Sequence, residues 1–186
     1  MPSGKLIVIT GPSGVGKGTI VRSLIQDHSQ LHLSVSATTR KPRPGEVDGR
    51  DYYFLGREEF ESAIADGEFL EWAEYAGNYY GTPKTKVKEL IDSGKLVLLE
   101  IELIGARIIS GIFPDALRIF LLPPSMAELE ARIRKRGQDP ESAIEKRLLR
   151  AKEEIAASKE FDIRIVNEDL ATAISDVTKV IFDKLQ

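Results

Sequence analysis

Short apolar runs alternate with amphipathic segments along this chain of 186 residues. Residues 6–10 form a continuous run rich in β-branched side chains, as expected for a strand that is buried on both faces. Residues 17–26 follow with apolar side chains at helical spacing. Further β-like runs, each followed by a helical pattern, are found at 96–101, 117–122 and 163–166. Strands that alternate with helices predict βαβ units, and therefore an α/β fold with a parallel, doubly wound sheet.

Two regions interrupt this alternation. Residues 36–94 are rich in Gly, Tyr, Thr and charge, with turns indicated at Pro42, Pro44–Gly45 and Asp48–Gly49. They predict a small mixed insert of strands and short helices. Residues 125–159 have a helical pattern almost throughout, with one interruption at 137–140.

Composition narrows the chemistry that is open to the chain. It contains no cysteine, which excludes disulfides, thiolate zinc sites and cysteine nucleophiles. Its only histidines, His28 and His32, leave little room for a His-based triad or a multi-histidine metal site. The formal charge of −3 argues against a broad nucleic-acid surface. No targeting segment is recognisable, and no apolar stretch reaches the roughly 20 residues of a membrane span. We therefore expect a cytoplasmic protein that binds neither nucleic acid nor membrane.

A glycine-rich segment lies between the first predicted strand and the first predicted helix. It consists of Gly11, Pro12, Ser13, Gly14, Val15, Gly16, Lys17, Gly18 and Thr19. The glycines let successive backbone N–H groups point at one anion, and the helix N-terminus adds positive potential. The lysine places a point charge on the β- and γ-phosphates of a nucleotide. The segment therefore predicts a phosphate-binding loop.

One position departs from the usual form of such a loop. The residue after Lys17 is Gly18 instead of the Ser or Thr whose hydroxyl normally holds Mg²⁺. That hydroxyl is absent, or is displaced to Thr19. We therefore expect the metal to be held mainly by water and phosphates.

Four passages of the chain, in the same order, resemble guanylate kinases over essentially the whole length. They are residues 11–19, residues 34–54 (SVSATTRKPRPGE and GRDYYF), residues 68–82 (EFLEW and GNYYGT) and residues 132–148 (RxxxRG and KRL). The second and third passages are long and specific. The resemblance implies a P-loop nucleoside monophosphate kinase fold, in which a parallel-sheet core flanked by helices carries a mixed α+β GMP-binding insert and a helical lid.

The resemblance also implies a division of the chain and an activity. The core would comprise residues 1–35, 95–122 and 160–186, the GMP-binding insert residues 36–94, and the lid with its following helix residues 123–159. The implied reaction is Mg²⁺-dependent phosphoryl transfer from ATP to GMP, giving ADP and GDP, in purine nucleotide metabolism. The partners would be ATP and GMP or dGMP, and the sequence leaves open a monomer or a homo-oligomer.

Two other functions remain open on the sequence. The first is a guanylate-kinase-like module that keeps the GMP lobe for peptide partners and has lost catalysis. Lys17, the full set of loop glycines and the lid arginines argue against that module. The second is a kinase for another monophosphate, such as AMP or a pyrimidine nucleotide.

Four residues of the insert match the family positions that bind the GMP phosphate. Arg40 and Arg43 flank Pro42 in a turn-rich segment, where guanidinium forks can grip a phosphate through two parallel hydrogen bonds. Tyr52 and Tyr80 offer hydroxyl donors to the same oxygens. The resemblance assigns the GMP phosphate to these four side chains.

Recognition of guanine requires acceptors and donors in a fixed pattern. Guanine presents N1–H and its 2-amino group as adjacent donors, with O6 as an acceptor. Glu71 fits the first role, and the hydroxyls of Ser36 and Thr82 fit the second. Adenine lacks the donor pair, so its entry would leave a buried carboxylate unpaired. We expect the neighbouring Trp72 to pack in the core of the insert.

Glu100 and Glu102 are two residues apart, so on an extended strand they share one face. Close to a phosphate loop, such a pair could order water around Mg²⁺ or contact the edge of guanine. For Glu100 a third interpretation is open, which is a solvated acid at the end of the strand. The family usually has Asp at the second position and Gln two residues later. Here these are Glu102, which keeps the charge and is assigned to guanine, and Ile104, which cannot repeat an amide contact.

The predicted lid is locally basic. Residues 128–152 contain eight Lys or Arg and five acids, and Arg132 and Arg136 share one helix face. Phosphoryl transfer needs alignment, charge neutralisation and exclusion of water, which a closing arginine-bearing lid supplies. The resemblance implies that Arg132 and Arg136 contact ATP and the transferring phosphoryl group, and that Arg147 reaches both nucleotides. We take Lys17, Arg136 and Arg147 as the catalytic residues.

Asn167 ends the last predicted strand, and two roles are open for it. It lies where the adenine of ATP is expected. Alternatively, Asn167 or Asp169 caps the final helix, which begins near Leu170.

Overall fold

The computed structural model describes residues 4–135 and 140–185. The strands within these ranges are β1 (Lys5–Thr10), β2 (Leu31–Leu33), β3 (Ala37–Thr38), β4 (Tyr53–Phe54), β5 (Phe69–Tyr75), β6 (Asn78–Pro83), β7 (Leu96–Glu100), β8 (Leu117–Leu122) and β9 (Ile163–Val166). The helices are α1 (Lys17–Asp27), α2 (Arg57–Ala65), α3 (Lys84–Asp92), α4 (Leu103–Ile112), α5 (Met126–Lys135), α6 (Glu141–Ala156) and α7 (Leu170–Leu185). A short 3₁₀ helix, Ala157–Glu160, follows α6.

The larger sheet has five strands in the order β2-β7-β1-β8-β9. Its β2–β7, β1–β8 and β8–β9 ladders are parallel. All four strands that the apolar runs predict belong to this sheet, so the prediction of a parallel-sheet α/β fold is confirmed. Strand β2 was not predicted, because its three residues are too few to show a pattern.

Burial explains why these strands are apolar on both faces. Ile7, Val8 and Ile9 of β1 have no exposed surface, and neither do Ile119 and Phe120 of β8. Parallel strands that are covered on both faces need apolar side chains at consecutive positions, which is the pattern seen in the sequence.

The described residues divide into two compact units. The insert unit comprises Met1–Leu6, Gln30–Leu99 and Ile104–Ala116, and the loop unit comprises Ile7–Ser29, Glu100–Leu103 and Leu117–Gln186, in each case as far as they are described. The predicted insert, 36–94, lies within the first unit, and the predicted lid, 123–159, within the second. The finer division into core, insert and lid stays a prediction.

The insert unit contains a four-stranded sheet in the order β4-β3-β6-β5. The antiparallel pairing of β5 and β6 places Glu71 opposite Thr82. Phe60 of α2 is fully buried beneath this sheet and stacks on Phe69, with ring centres 4.4 Å apart. Stacked phenylalanine rings therefore contribute to the core of the unit.

The expectation that Trp72 packs in this core is wrong. Its side chain is 41% exposed and meets the ring of Tyr79 edge-on, whereas Glu71 is only 6% exposed. Adjacent residues of a strand point to opposite faces, so only one of the two can point inward. The structure turns the carboxylate inward and the indole outward.

In the loop unit, the helical pattern of 125–159 is confirmed by α5 and α6. The two helices pack through a cluster of Leu129, Ile133, Ile144 and Ala151. The predicted interruption at 137–140 falls mostly outside the described residues, as does Arg136. Across residues 4–135 and 140–185, no helix has both the length and the apolarity that a bilayer crossing requires.

Candidate active site

The glycine-rich segment joins β1 directly to α1, as predicted. Gly14 and Gly16 have left-handed backbone, with φ of 91° and 105°, which strains any other residue. Both also lie against neighbours, since a Cβ at Gly14 would be 2.9 Å from Ile133 Cγ1, and one at Gly16 would be 2.6 Å from Asn167 Nδ2. The loop is therefore held open in a shape whose backbone and helix N-terminus favour an anion.

Asn167 fixes this loop from the end of β9. Its buried Nδ2 donates a hydrogen bond to the Val15 carbonyl oxygen at 2.8 Å. The cap of α7 is instead Asp169, whose Oδ2 accepts from the backbone N–H of Thr172 at 2.8 Å. That backbone hydrogen bond lowers the pKa of Asp169. Of the two capping candidates the structure selects Asp169, and Asn167 contacts the loop.

Lys17 is 8% exposed and contacts two groups among the described residues of the loop unit. Its Nζ donates to the Gly11 carbonyl oxygen and lies 3.6 Å from Oε1 of Glu102. The ammonium is therefore kept over the loop by a carbonyl and a carboxylate, both of which an incoming phosphate can replace. Glu102, predicted to contact guanine, is in this structure the ion-pair partner of Lys17.

Two further acids lie in this region. A Cβ built on Gly18 would be 3.5 Å from Glu100 Oε1, so the Glu100 carboxylate borders the first turn of α1. Burial raises the pKa of Glu100, and the charge of Lys17 opposes that rise. Glu154 of α6 is 5% exposed and lies 3.4 Å from Arg150 Nε. Sequence reasoning missed Glu154, because nothing in the helical pattern separates it from the exposed Glu153.

Burial raises the pKa of Glu154 to about 7, a shift that Glu102 reinforces and that Lys17 and Arg150 oppose. The folded protein therefore binds a proton that the unfolded chain, with a pKa near 4.5, releases. Stability falls as pH rises through the window from about 4.5 to about 7. Above that window the folded state retains a poorly solvated carboxylate.

We expect Glu154→Gln to stabilise the nucleotide-free protein by about 1–3 kcal/mol more at pH 8 than at pH 5, because the amide carries no charge at either pH. Urea unfolding at the two pH values measures the difference. Glu153→Gln, on the exposed face of the same helix, is the matched control and should show no such pH dependence. Equal gains for Glu154→Gln at pH 5 and pH 8 would contradict the assignment.

The lid arginines have different surroundings. Arg147 of α6 donates from Nη2 to Oγ of Ser13 at 2.6 Å, which brings a guanidinium of the predicted lid to the phosphate loop. Arg132 of α5 instead donates from Nε to Glu128 Oε1, one helical turn away, at 3.0 Å. The predicted contact of Arg132 with ATP therefore requires its guanidinium to exchange this partner. Arg136 lies outside the described residues.

In the insert unit, Glu71 accepts a hydrogen bond at 2.5 Å from Oγ1 of Thr82, which is itself fully buried. The pKa of Glu71 is raised, because the effect of burial exceeds the opposing effect of the hydrogen bonds from Thr82. A hydroxyl has one proton, so Thr82 in this arrangement orients Glu71 and does not donate to O6 of a guanine. Ser36 is half-buried at the edge of β3, and its role at O6 stays a prediction.

Arg40 is held by a residue that sequence reasoning did not select. Its Nη1 and Nη2 donate to the two carboxylate oxygens of Glu46, each at 2.9 Å, and the backbone N–H of Arg43 donates to Glu46 Oε2 at 2.7 Å. The hydrogen bonds from Arg40 lower the pKa of Glu46. The only signal in the sequence was the spacing of Glu46, three residues after Arg43 across the Pro44–Gly45 turn.

The predicted phosphate-binding side chains of the insert unit lie near one another. The guanidinium carbon of Arg40 is 5.3 Å from the centre of the Tyr52 ring, and the rings of Tyr52 and Tyr80 meet edge-on at 6.2 Å. The Arg43 backbone joins the group through Glu46, while its side chain is exposed. Such a group of cationic and hydroxyl donors suits a phosphate dianion.

The donor set fits Mg²⁺ bound largely by water. Among residues 4–135 and 140–185, no three His, Cys, Asp or Glu side chains gather as a metal-binding group. Glu100 is the carboxylate that borders the first turn of α1, and Thr19 there is exposed. Mg²⁺ commonly keeps several waters and takes one or two carboxylates together with substrate phosphates, so one acid beside a phosphate loop is sufficient.

Comparison with known proteins agrees with this geometry. The family model described as guanylate kinase matches residues 3–184. The guanylate kinase of Nostoc sp. (strain PCC 7120) is 64% identical over 180 residues, covering 97% of this chain and 90% of the relative. The guanylate kinase of Trichodesmium erythraeum is 57% identical, covering 98% of each chain. The crystal structure of guanylate kinase from Anaplasma phagocytophilum superposes with a TM-score of 0.81 at 32% identity, covering 99% of this chain and 87% of that one. The chain therefore belongs to the guanylate kinase family.

Proposed function

We propose that this protein transfers the γ-phosphoryl group of ATP to GMP, giving ADP and GDP, with Mg²⁺ as cofactor. The observation that carries the proposal is a buried carboxylate, Glu71, placed to accept hydrogen bonds, in a family member whose phosphate loop and Lys17 are intact. The carboxylate supports guanine as the base that is recognised. The loop supports a nucleoside triphosphate as the donor.

On the donor side, the backbone of residues 12–18 and the ammonium of Lys17 hold the ATP phosphates. Lys17 exchanges the Gly11 carbonyl and Glu102 for the β- and γ-phosphate oxygens. Arg147, whose guanidinium contacts Ser13 of the loop, binds the same phosphates. We assign further ATP contacts to Arg132 and Asn167.

On the acceptor side, Arg40, Arg43, Tyr52 and Tyr80 hold the phosphate of GMP. Glu71 accepts from N1–H and the 2-amino group of guanine. We assign the remaining contacts with the base to Ser36, to Thr82 through Glu71, and to Glu102.

The chemical step needs no general base. The second pKa of a phosphate monoester is near 6, so an oxygen of GMP is already anionic at pH 7. This oxygen forms a bond to the γ-phosphorus as the bond to the β–γ bridging oxygen breaks, and ADP leaves with that electron pair. Lys17, Arg136 and Arg147 neutralise the charge that spreads over the transferring group.

Mg²⁺, when bound, would neutralise charge on the ATP phosphates. Glu100 would order its water ligands, with Thr19 as a second contributor. The pKa of Glu100 is raised by burial, so a nearby cation favours the ionised form that this role needs.

The test is a coupled ADP-release assay with Mg²⁺, ATP and each of GMP, dGMP, AMP, CMP and UMP. We expect rapid ADP release with GMP or dGMP and little with the others, because only guanine offers a donor pair to Glu71. Equal turnover of AMP and GMP would refute the specificity. Binding of GMP without ADP release would favour the alternative, a catalytically inactive binding module.

Gly18→Ser tests how the metal is held. Gly18 is helical, and a Cβ there would lie 3.5 Å from both Glu100 Oε1 and Arg22 Nη1, which is ordinary contact. A serine therefore fits and returns a hydroxyl to the first turn of α1. We expect the Mg²⁺ concentration for half-maximal rate to fall several-fold, roughly the effect of one added hydrogen-bonding ligand of about 1 kcal/mol.

Gly18→Ala is the matched control, because it adds the methylene without the hydroxyl and should leave the Mg²⁺ titration as in the wild type. Identical titrations for the serine and alanine variants would show that water already fills this position.

A cytoplasmic location and a monomeric or homo-oligomeric state are also proposed, on the sequence alone.

A further inference from the structure

A buried glycine in the first turn of α4 lies directly against the carboxylate of Glu71. A Cβ built on Gly105 would be 2.9 Å from Glu71 Cδ, closer still to Oε2, and 3.5 Å from Oε1. Carbon atoms that are not bonded to each other sit at about 3.5–4.0 Å. The helix backbone and the carboxylate are therefore in contact with no room for a methyl group between them.

Conformation does not explain the glycine. Gly105 lies inside α4 and is not among the residues with positive φ. Glycine is also a less favourable helix residue than alanine. Gly111, on the same helix, has nothing within 4 Å of its Cβ position. Gly105 is buried in the first turn of α4 against Glu71, whereas Gly111 is exposed in the last turn with open space at its Cβ position.

The carboxylate of Glu71 is confined from two sides as a result. Its Oε1 accepts from the buried hydroxyl of Thr82 at 2.5 Å, and its Oε2 faces the backbone at Gly105. One oxygen is held by the hydrogen bond from Thr82, and the other is in van der Waals contact with the α4 backbone at Gly105. These two contacts fix the plane of the carboxylate. The lone pairs left over on the two oxygens can then serve a pair of adjacent donors.

We propose that Gly105 is a positioning residue that sets the specificity for guanine, because its missing side chain lets the Glu71 carboxylate stand where both guanine donors reach it. This inference rests on the proposed function and adds a residue of α4 to it. Any side chain at position 105 displaces the carboxylate, and a displaced carboxylate keeps at most one of the two hydrogen bonds.

The test compares Gly105→Ala with Gly111→Ala, using GMP and inosine monophosphate as acceptors. Inosine monophosphate keeps N1–H and O6 but lacks the 2-amino donor, so the ratio of kcat/KM for the two acceptors reports the paired hydrogen bonds. A hydrogen bond to a charged group is worth about 1.5–3 kcal/mol, or roughly 10- to 100-fold. We expect Gly105→Ala to lower the GMP to inosine monophosphate ratio at least about tenfold, with the KM for ATP unchanged.

Gly111→Ala adds a methyl group to the same helix without the clash, and we expect the wild-type ratio from it. A merely structural role for Gly105 would lower both acceptors' kcat/KM together and leave the ratio intact, which would overturn the proposal.

A second-site variant supplies an independent readout. Glu71→Asp shortens the side chain by one methylene and withdraws the carboxylate from position 105. The combined loss in Glu71→Asp/Gly105→Ala should be smaller than the product of the two single losses, since the variants relieve one clash. Losses that multiply would overturn the proposal. If Gly105→Ala alone does not fold, recovery of folded, GMP-active protein in the double variant supports the proposal, and failure to recover refutes it.

The two hypotheses fail separately. Wild-type protein that releases no ADP with GMP refutes the proposed function. Wild-type protein that is active and specific, with a Gly105→Ala variant that keeps the wild-type ratio, refutes only the role of Gly105.

Discussion

Lys17→Ala should slow phosphoryl transfer by about a thousandfold or more while GMP binding stays as in the wild type. Removing one preorganised charge from a transition state of this kind costs about 3–4 kcal/mol or more. Lys17 is 8% exposed and already stands over the loop between Gly11 and Glu102, so no other described cation occupies its place. Single-turnover rates at saturating ATP and GMP measure the loss, and calorimetric titration measures GMP affinity.

Lys17→Met is the companion variant, because it keeps most of the buried aliphatic stem and removes only the charge. If both variants lose transfer equally, the ammonium is responsible. If Lys17→Met retains the rate of the wild type within a few-fold, the stem matters and the proposed role of the charge is wrong. Thermal unfolding of both variants checks that the loss of the partner of Glu102 has not unfolded the protein.

Glu71→Gln should reduce kcat/KM for GMP by about a hundredfold or more, with the KM for ATP unchanged. The amide presents an N–H₂ group where the carboxylate presents an oxygen, so one guanine donor meets another donor in a site that is 6% exposed. Glu74→Gln on the exposed face of the same strand is the control. A loss of only a few-fold would remove Glu71 from guanine recognition.

The pH dependence provides a second check on the same residue. Burial raises the pKa of Glu71, and only the ionised carboxylate can accept from both guanine donors. As pH falls through this raised pKa, kcat/KM for GMP should decline at a higher pH than an ordinary carboxyl group would give. The Glu71→Gln variant should lose the part of the acidic limb that comes from this carboxyl group and keep the part that comes from the GMP phosphate, whose second pKa is near 6.

Periodicity predicted the sheet well because parallel strands that are buried on both faces leave a signal that few other structures share. Residues 6–10 and 117–122 are examples, and both became central strands. The phosphate loop was equally visible, since its glycines occupy positions with left-handed backbone at Gly14 and Gly16. Strand β2, with three residues, left no signal.

The site was harder to predict at positions where a polar side chain is buried or an apolar side chain is exposed. Hydrophobicity favoured Trp72 for the interior, but the structure buries Glu71 and exposes Trp72. A strand at a binding site can point a carboxylate inward because the ligand, and here Thr82, satisfies it. The burial of Glu154 was also not predictable from the sequence. It depends on residues that pack beside α6 from parts of the chain that are distant in sequence, such as Lys17 and Glu102.

The hydrogen bond from Asn167 to Val15 joins residues 152 positions apart. During synthesis the phosphate loop leaves the ribosome well before β9, whose end supplies the supporting contact from Asn167. Contacts so distant in sequence form late in folding. A nascent chain that ends before β9 should therefore hold ATP poorly, so that nucleotide binding begins only after β9 has been made and has joined the loop.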